Sequence, residues 1–433
     1  MLIVTIGIMI FLTGLALVFS REMRVEVLAS GNLVDAAQAE AVVSGAAQHV
    51  INRLANNTDR TTLDTDIQSQ AVAVGEGHFW LVRPDSDNER KYGFGVSDES
   101  AKLNINTASL DMLLCLPGMT SDLAASIIDW RDADEEATEN GAESEFYLLQ
   151  PEPYYCKNAP FETLEELLLV KGSYREILFG LDANRNGVLD ENEGTTTTML
   201  GGINGQAQCG VMKYLTVYSI EPNVSSTGGQ RIFVGDTRTS TLTQLSNFLL
   251  RYFSGDRVAS ITLRLRGEAA PQNVLDFYVK SGMTLDEFKK VADSLTTDRL
   301  PILVGKVNVN TAPKEVLRCL PGLLDSDIDQ LIATRSGNGP DLNSIVWVLS
   351  ALTPQKAALI GGAITTRSYQ YSADILGVSG NGRSFSRARY VFDMRSTPPR
   401  VLFRQDLTHL GWPLDAGTRE SVRSTALAST EKR

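Results

Sequence analysis

The sequence predicts an α+β protein with a long N-terminal helix, two helical hairpin units and two antiparallel strand hairpins. Apolar side chains recur at three- and four-residue steps through residues 2–54, which is the spacing of one helix face. A short motif occurs twice, each time before the pattern of a helical hairpin, and this internal repeat predicts helical units within the chain. Alternating segments at 78–96 and 384–404 supply the strands.

The repeated motif is Lys, apolar, Asn, apolar, Asn, Thr, Ala, and it spans residues 102–108 and 306–312. Its alternation predicts a short extended segment. We expect Thr107 and Thr311 to cap the helices that follow, since a threonine hydroxyl accepts a free backbone N–H in the first helical turn. Pro313 is expected at an early position of the helix in the second copy.

Each copy continues into two short helices joined by a Pro-Gly turn, at 117–118 and at 321–322. The second helix of each hairpin is predicted at 120–132 and at 325–334. The chain therefore carries two units that are like a helix-hairpin-helix.

Residues 2–19 contain no charged side chain, which is close to the roughly 20 apolar residues that cross a bilayer as a helix. A cleaved signal peptide is the alternative, but no basic region precedes the run and no small-residue cleavage site follows it. The helical pattern continues to Leu54, so we predict one helix of about fifty residues, half in the membrane and half amphipathic.

Residues 182–193 match a calcium-binding loop at every diagnostic position. Oxygen ligands stand at positions 1, 3, 5, 9 and 12, glycine stands at 6 and an apolar residue at 8. The predicted ligands are five side chains and one backbone carbonyl, from Asp182, Asn184, Asn186, Val188 (the carbonyl), Asp190 and Glu193. The alternative is an ordinary Asp/Asn/Gly turn. No strong exit helix is predicted after the loop, so we expect an EF-hand-like structural calcium clip rather than a sensor.

The charge balance and the cysteines limit the class of protein. Forty Lys and Arg residues against 52 Asp and Glu residues give a net charge of −12, which argues against nucleic acid as a partner. The four cysteines allow three pairings. Cys115 and Cys319 occupy equivalent apolar helix positions and are expected as buried free thiols. Cys156 and Cys209 bracket the calcium loop, and a disulfide between them is an open alternative.

The sequence carries no signal of catalysis. The three histidines, His49, His78 and His409, have no metal-ligand spacing, and no nucleophile elbow, phosphate-binding loop or Cys-x-x-Cys motif occurs. We therefore expect no enzyme activity and no small-molecule substrate. The acidic residues at 129–136 are expected at a solvated helix end, with a second cation site as the alternative.

These patterns divide the chain into seven expected segments. They are a transmembrane helix (1–22), the rest of that helix with the first strands (23–100), a helical insert with the calcium loop (101–213), a mixed segment of unassigned role (214–304), the second hairpin unit (305–370), terminal strands (371–414) and a disordered tail (415–433).

The Asn-x-Asn-Thr-Ala motif with its Leu-Pro-Gly hairpin resembles the helix-hairpin-helix of competence DNA receptors. In that family, backbone N–H groups and lysines at the turn hold DNA phosphates. The turns of this chain differ, because 119–122 and 323–327 carry aspartates where the family has a glycine-rich, basic turn. Carboxylates at that place repel phosphate, so this resemblance implies a shared fold module without DNA binding.

A broader resemblance is to the minor pseudopilin K family of type II (general) secretion. The matching segments follow the family's order across most of the chain: 2–26, 102–108, 116–119, 128–134, 160–167, 215–219 and 306–313. Together these segments are specific, whereas any one of them alone would be a weak signal.

This resemblance implies a pilin-like domain, in which the long N-terminal helix packs on an antiparallel sheet, with a large helical domain inserted in it. It implies a single span in the inner membrane, with the bulk of the chain in the periplasm. Such a protein binds other minor pseudopilins, caps the tip of the type II secretion pseudopilus, and helps to initiate its assembly and protein export across the outer membrane. The alternative function is a membrane-tethered periplasmic DNA receptor of the competence type.

Two departures from the family pattern are visible. The basic leader and cleavage-site glycine of a prepilin do not precede Leu2, and the stretch 221–300 is longer than the family leads us to expect. If Met1 is the mature start, Thr5 stands where major pilins have a glutamate. That agrees with a tip subunit, which has no subunit above it whose terminal amine needs a carboxylate.

Overall fold

The computed structural model of the chain describes residues 2–56, 67–85, 91–190, 193, 209–337 and 339–430. Most of the polar linker at 56–70 and of the turn at 84–88, and all of the Thr- and Gly-rich stretch 194–205, lie outside the described residues. The predicted architecture is confirmed: one long helix packs on an antiparallel sheet, and a large helical portion is inserted between the strands.

The N-terminal helix, α1 (Leu2–Asn56), is continuous over 55 residues, as the apolar spacing predicts. Residues 2–34 are exposed on every side. The last third of the helix buries a stripe of small and β-branched side chains against the sheet: Ala39, Val42, Val43, Ala46, Ala47, Val50 and Leu54. The two parts of α1 therefore have different surroundings, and only the second belongs to the folded core.

Four short strands follow α1: β1 (Val72–Val74), β2 (Gly77–Pro84), β3 (Tyr92–Phe94) and β4 (Ser97–Asp98). The predicted hairpin is confirmed, since β2 pairs antiparallel with β3. Phe79, Trp80, Leu81 and Val82 of β2 are all buried, because α1 covers one face of the sheet and a second apolar cluster covers the other.

The first unit of the helical portion spans 103–216. Its elements are β5 (Leu103–Asn104), α2 (Leu110–Leu114), α3 (Ser121–Arg131), α4 (Ser144–Tyr147), α5 (Arg175–Phe179) and β6 (Leu215–Thr216). The unit also contains a short 3₁₀ helix, Leu164–Leu169, closed at its start by a capping box between Thr163 and Glu166. Parallel pairing of β5 with β6 joins the two ends of the unit.

A middle unit spans 232–296 and lies in the stretch to which the sequence assigned no role. Strand β7 (Ile220–Pro222) precedes it. The unit contains β8 (Ile232–Phe233), α6 (Thr239–Leu249), α7 (Gly255–Gly267), α8 (Val274–Ser281), α9 (Leu285–Val291) and β9 (Leu295–Thr296). Strand β10 (Ile302–Val304) follows and pairs antiparallel with β7, so the unit stands on a two-stranded ribbon.

The last unit spans 307–365 and contains the second copy of the sequence motif. Its elements are β11 (Val307–Asn308), α10 (Lys314–Arg318), α11 (Asp325–Arg335), α12 (Val348–Ala351), α13 (Pro354–Ile360) and β12 (Ile364–Thr365). The helix pairs α2–α3 and α10–α11 lie at the positions predicted for the two hairpins, and their likeness to a helix-hairpin-helix stays a prediction. Arg131 and Arg335 end the second helix of each, and both donate to backbone carbonyls in their own motif.

All three units close in the same way. Each pairs its first and last strands in parallel, and each last strand is an apolar residue followed by threonine. The hydroxyls of Thr216, Thr296 and Thr365 accept the N–H of the residue two positions on, at 2.9, 3.1 and 3.2 Å. The middle unit is therefore a third copy. Its first strand has Phe233 where the other two have a buried asparagine, and this hides it from motif comparison.

The chain returns to the sheet through β13 (Gln370–Val378), β14 (Phe385–Asp393) and β15 (Arg400–Asp406), and ends in α14 (Ala416–Thr430). The order is β1-β2-β13-β14-β15, with β3 on β2 and β4 on β13. The predicted terminal hairpin is β14–β15. Gly377 of β13 lets α1 approach, because a Cβ there would lie 2.7 Å from the Ala39 carbonyl oxygen.

Three details differ from the sequence predictions. The cap of α2 is Ser109 rather than Thr107, and Pro313 itself is the N-cap residue of α10. Thr311 instead donates its hydroxyl to the buried Asp98 carboxylate at 2.5 Å. The tail expected to be disordered forms α14, because the Asp415 carboxylate accepts the Thr418 N–H at its start and Val422 packs on an apolar cluster of the sheet.

None of the four cysteines forms a disulfide, so the Cys156–Cys209 alternative is not realised. Cys319 is buried, as expected. Cys115 is exposed, contrary to the prediction, because it is the C-cap residue of α2, a one-turn helix that buries only Leu113.

Candidate metal centre

The six predicted calcium ligands lie in one compact loop between α5 and the end of the first unit. Asp182 is 5% exposed, and its carboxylate accepts the N–H groups of Asn186 and Gly187 at 3.1 and 2.7 Å. Gly187 has a φ of +80°, which permits the sharp turn at the sixth position. Val188 is buried at the seventh position.

The last predicted ligand reaches back over the first part of the loop. Glu193 accepts the N–H groups of Ala183 and Asn184 on one carboxylate oxygen, at 2.9 and 3.1 Å. Its other oxygen accepts the Asp190 N–H at 3.1 Å. The last position of the loop therefore contacts the backbone next to its first position.

The donor set fits a hard divalent cation. Burial raises the pKa of Asp182 to about 6, and repulsion from Glu193 adds to the shift. The side-chain amides of Asn184 and Asn186 turn to the Asp190 carboxylate at 2.7 and 3.2 Å. A cation among these oxygens would remove the repulsion between carboxylates, and all of these ligands are of the oxygen type that calcium takes.

The loop rests on the sheet through a buried arginine that the sequence analysis missed. Arg387 of β14 is fully buried and donates to the carbonyl oxygens of Asn184 and Arg185 at 2.6 and 3.1 Å. Its charge is balanced by Asp374 of β13. The Asn186 amide also donates to the Pro413 carbonyl at 2.7 Å, so the loop contacts the C-terminal segment as well.

A second set of carboxylates lies at the end of α3. Ligand oxygens of Asp132, Asp134 and Glu143 lie within 4.8 Å of one another. Glu143, which the sequence analysis did not single out, is 5% exposed, and apart from the Cys156 thiol no donor among the described residues reaches its carboxylate. Burial, with repulsion from Asp129 and Asp132, raises the pKa of Glu143 to about 7.

The sequence predicted that the acidic residues at 129–136 lie at a solvated helix end, and this prediction is wrong for Asp129. Asp129 is completely buried, and its carboxylate accepts the Thr138 N–H at 3.1 Å. It therefore holds the loop after α3 in place, while Asp132, Asp134 and Glu143 face a common centre.

Among the described residues, one helix is long and apolar enough to cross a membrane. It is the start of α1, and no part of its most apolar window is buried within the protein. Length and composition thus support a single membrane anchor.

Comparison with known proteins gives three similarities. Residues 95–182 match the first-domain model of the family described as Type II secretion system (T2SS), protein K. Type II secretion system protein K of Klebsiella pneumoniae is 37% identical over 112 residues, which are 24% of this chain and 34% of that protein. The match therefore spans about a third of that relative.

A solved structure is also similar at low identity. It is the crystal structure of the GspK-GspI-GspJ complex of the type 2 secretion system from enterotoxigenic Escherichia coli, with 11% identity, 89% of this chain and 99% of that chain covered, and a TM-score of 0.43. The family match and the Klebsiella relative confirm the resemblance of this chain to protein K of type II secretion, the minor pseudopilin K family.

Proposed function

We propose that this chain is a minor pseudopilin that caps the tip of the type II secretion pseudopilus, helps to initiate its assembly and so supports protein export across the outer membrane. It is anchored in the inner membrane by the start of α1, and the bulk of the chain is periplasmic. Its partners are other minor pseudopilins. The role is one of assembly and needs no catalytic site.

The proposal rests on the contrast between the exposed first part of α1 and its buried last part. Residues 2–34 bury nothing within the chain, although 2–19 are entirely uncharged. In water such a surface is costly, at roughly 25 cal/mol per Å² of apolar area. A membrane, or the apolar helices of neighbouring subunits in a fibre, would cover it. The folded half of α1 fixes the exposed half to the sheet as a rigid extension.

The contacts at the hairpin turns argue against the alternative of a DNA receptor. At the turn of the last unit, Arg318 pairs with Asp325, with 2.9 Å between Nε and Oδ1. Lys356 pairs with Asp327 at 2.6 Å. The basic side chains there are already bound to carboxylates, and a DNA phosphate would have to displace them.

We also propose that the loop at 182–193 binds calcium as a structural clip. Two of its ligands are amides rather than carboxylates, which lowers the charge of the site and favours weak binding, with a dissociation constant on the order of 10⁻⁵ to 10⁻³ M. Because the loop contacts β14 and the C-terminal segment, calcium would strengthen the junction between the first unit and the sheet.

A second cation at Asp132, Asp134 and Glu143 is the companion proposal, and the unsatisfied, buried Glu143 supports it. Isothermal titration of the full chain with calcium distinguishes the two sites. Two ions should bind to the wild type, and one each to Glu143→Gln and Glu193→Gln. If the wild type bound a single ion, and only Glu193→Gln lost it, the proposal of a second site would be excluded.

Deletion of the gene in a strain with active type II secretion tests the main proposal. Exported proteins should accumulate in the periplasm, and the full chain should restore their release. Protease added to spheroplasts should digest residues beyond 67. Secretion that is unaffected by the deletion, together with salt-sensitive binding of duplex DNA in a gel shift, would instead support the DNA receptor.

A further inference from the structure

Six large apolar side chains are exposed in one part of the first unit, far along the chain from α1. They are Phe146, Leu148, Leu149, Tyr155, Leu168 and Leu169, and we refer to them as the apolar face. Leu149 is 81% exposed and Tyr155 is 73% exposed. Contiguous exposed apolar surface of this kind on a folded protein marks an interaction site.

The residues of the apolar face come from two segments that lie side by side. The Tyr154 hydroxyl donates to the Leu169 carbonyl at 2.7 Å, which joins the segment at 146–155 to the one at 168–171. The Lys171 ammonium lies 5.3 Å from the centre of the Phe146 ring. The six side chains therefore belong to two adjacent segments of the first unit.

A set of closely packed aromatic side chains lies beneath the apolar face. Tyr147 is fully buried, stacks on Tyr154 with 5.3 Å between ring centres, and packs edge-on against Trp130. The Tyr147 hydroxyl accepts the Lys171 N–H at 3.2 Å. Such a surface loses little conformational entropy when a partner binds, because its backbone is already held in place.

The surroundings of the apolar face are acidic. Residues 129–155 contain nine carboxylates and one guanidinium. Glu145 and Glu152 lie within the face's own segment, are exposed, and have no basic partner among the described residues. Lys171 is the cation beside them, and its ammonium already donates to the carbonyls of Asn140 and Gly141, at 3.1 and 2.9 Å.

We propose that the apolar face docks a basic amphipathic segment of another protein, in which Lys or Arg side chains flank residues the size of leucine. Apolar side chains of the segment would cover Leu149 and Tyr155, and its cations would meet Glu145 and Glu152. Charge complementarity selects this partner, because an anionic lipid surface or an acidic protein would bring like charges together. The inference does not depend on a position at the pseudopilus tip.

Fluorescence anisotropy tests the proposal with the full chain in nanodiscs of zwitterionic lipid. The probe is a labelled amphipathic peptide of leucine and lysine, and its counterpart has glutamate in place of lysine. The lipid background is the same for every variant, so differences between variants report the protein surface. The lysine peptide should bind, its affinity should fall with salt, and the glutamate peptide should bind at least about tenfold more weakly.

Two pairs of variants locate the binding. Leu149→Ser with Tyr155→Ser should weaken binding at least about tenfold, whereas Leu263→Ser, an exposed leucine of the middle unit, should not change it. Glu145→Lys with Glu152→Lys should weaken it similarly, and Asp256→Lys with Asp286→Lys should not. Absence of binding, equal binding of both peptides, or equal losses in the patch and control variants would overturn the proposal. Preferential binding to anionic vesicles would overturn it too.

Discussion

The guanidinium of Arg387 meets the carboxylate of Asp374 through two parallel hydrogen bonds, of 2.8 and 2.6 Å, between the two central strands of the sheet. The same guanidinium donates to two carbonyls of the candidate calcium loop. This pair is buried, and it connects the sheet to the first unit.

We expect Arg387→Met to lower the free energy of unfolding by about 3–5 kcal/mol, because the buried Asp374 keeps only the longer contact with the part-exposed Arg389 and two loop carbonyls lose their donor. Urea unfolding of the full chain in detergent measures the change. Arg404→Met is the matched control, since Arg404 pairs with Glu40 at the half-exposed surface and its loss should cost within about 1 kcal/mol. If both variants lost the same small amount of unfolding free energy, the buried pair would not stabilise the junction between the sheet and the first unit.

The same pair predicts a dependence on pH. Burial alone would raise the pKa of Asp374, but the charge and hydrogen bonds of Arg387, with those of Arg389, bring it below its ordinary value of 3.8. A carboxyl with a lowered pKa stabilises the fold above that ordinary value, and the contribution is lost as the pH falls below it. Asp374→Asn should therefore be less stable at neutral pH and lose less stability between pH 5 and 2. Parallel acid-unfolding curves would contradict this.

Calcium should raise the melting temperature of the full chain relative to chelator. With calcium about ten- to a hundred-fold above the dissociation constant, the stabilisation should be about 1–3 kcal/mol. Glu193→Gln should remove the part of this effect that the loop contributes, because the closing ligand of the loop loses one charged oxygen. Glu176→Gln, an exposed change on the preceding helix α5, is the control. The same melting temperature in calcium and in chelator would reduce the loop to a turn.

Asp98 fastens the last unit to the sheet. Its carboxylate accepts from the Asn308 amide at 3.1 Å, the Thr311 hydroxyl at 2.5 Å and the Ser368 hydroxyl at 2.6 Å. We expect Asp98→Ala to cost about 2–5 kcal/mol, since these donors are buried and would lose their acceptor. Asp111→Ala, at an exposed helix start, should leave the unfolding midpoint almost unchanged. A loss below about 1 kcal/mol in Asp98→Ala would contradict this role.

The neighbouring Glu99 gives the first unit an equivalent attachment. It accepts from the Thr216 hydroxyl at 2.5 Å, at the closing strand of that unit, and from Ser372 of β13 at 2.6 Å. Two adjacent carboxylates thus attach two copies of the unit. No sequence pattern predicts these two attachments, because Asp98 and Glu99 look like ordinary acidic residues in a polar stretch.

Local patterns predicted the elements that depend on local chemistry. The spacing of apolar residues gave α1, and the repeated asparagine motif located the two hairpins at α2–α3 and α10–α11. The ligand spacing located a loop in which Asp182 and Glu193 accept hydrogen bonds from the loop's own backbone, and calcium binding there is still a prediction. In each case the determining residues lie within about twelve positions of one another.

Long-range contacts were not predictable in the same way. Strand β13, the centre of the sheet, is buried on both faces, and its polar/apolar alternation covers only Gln370 to Ile375 before Leu376 and Val378 break it. Its polar side chains are satisfied by distant partners, as Asp374 is by Arg387. The middle unit pairs its first and last strands as the other two units do, but it has Phe233 where they have an asparagine. Glu143 became part of a carboxylate cluster only because the loop after α3 folds back over Asp132 and Asp134.

Co-purification tests directly whether this chain assembles with other minor pseudopilins. The full chain carrying a C-terminal tag is expressed with the other minor pseudopilins of the same secretion system, extracted in mild detergent and passed over a size-exclusion column. We expect the pseudopilins to elute together in a fixed ratio, and the complex to withstand DNase and added duplex DNA. Elution of the chain alone, with the other pseudopilins folded and present in the extract, would contradict it.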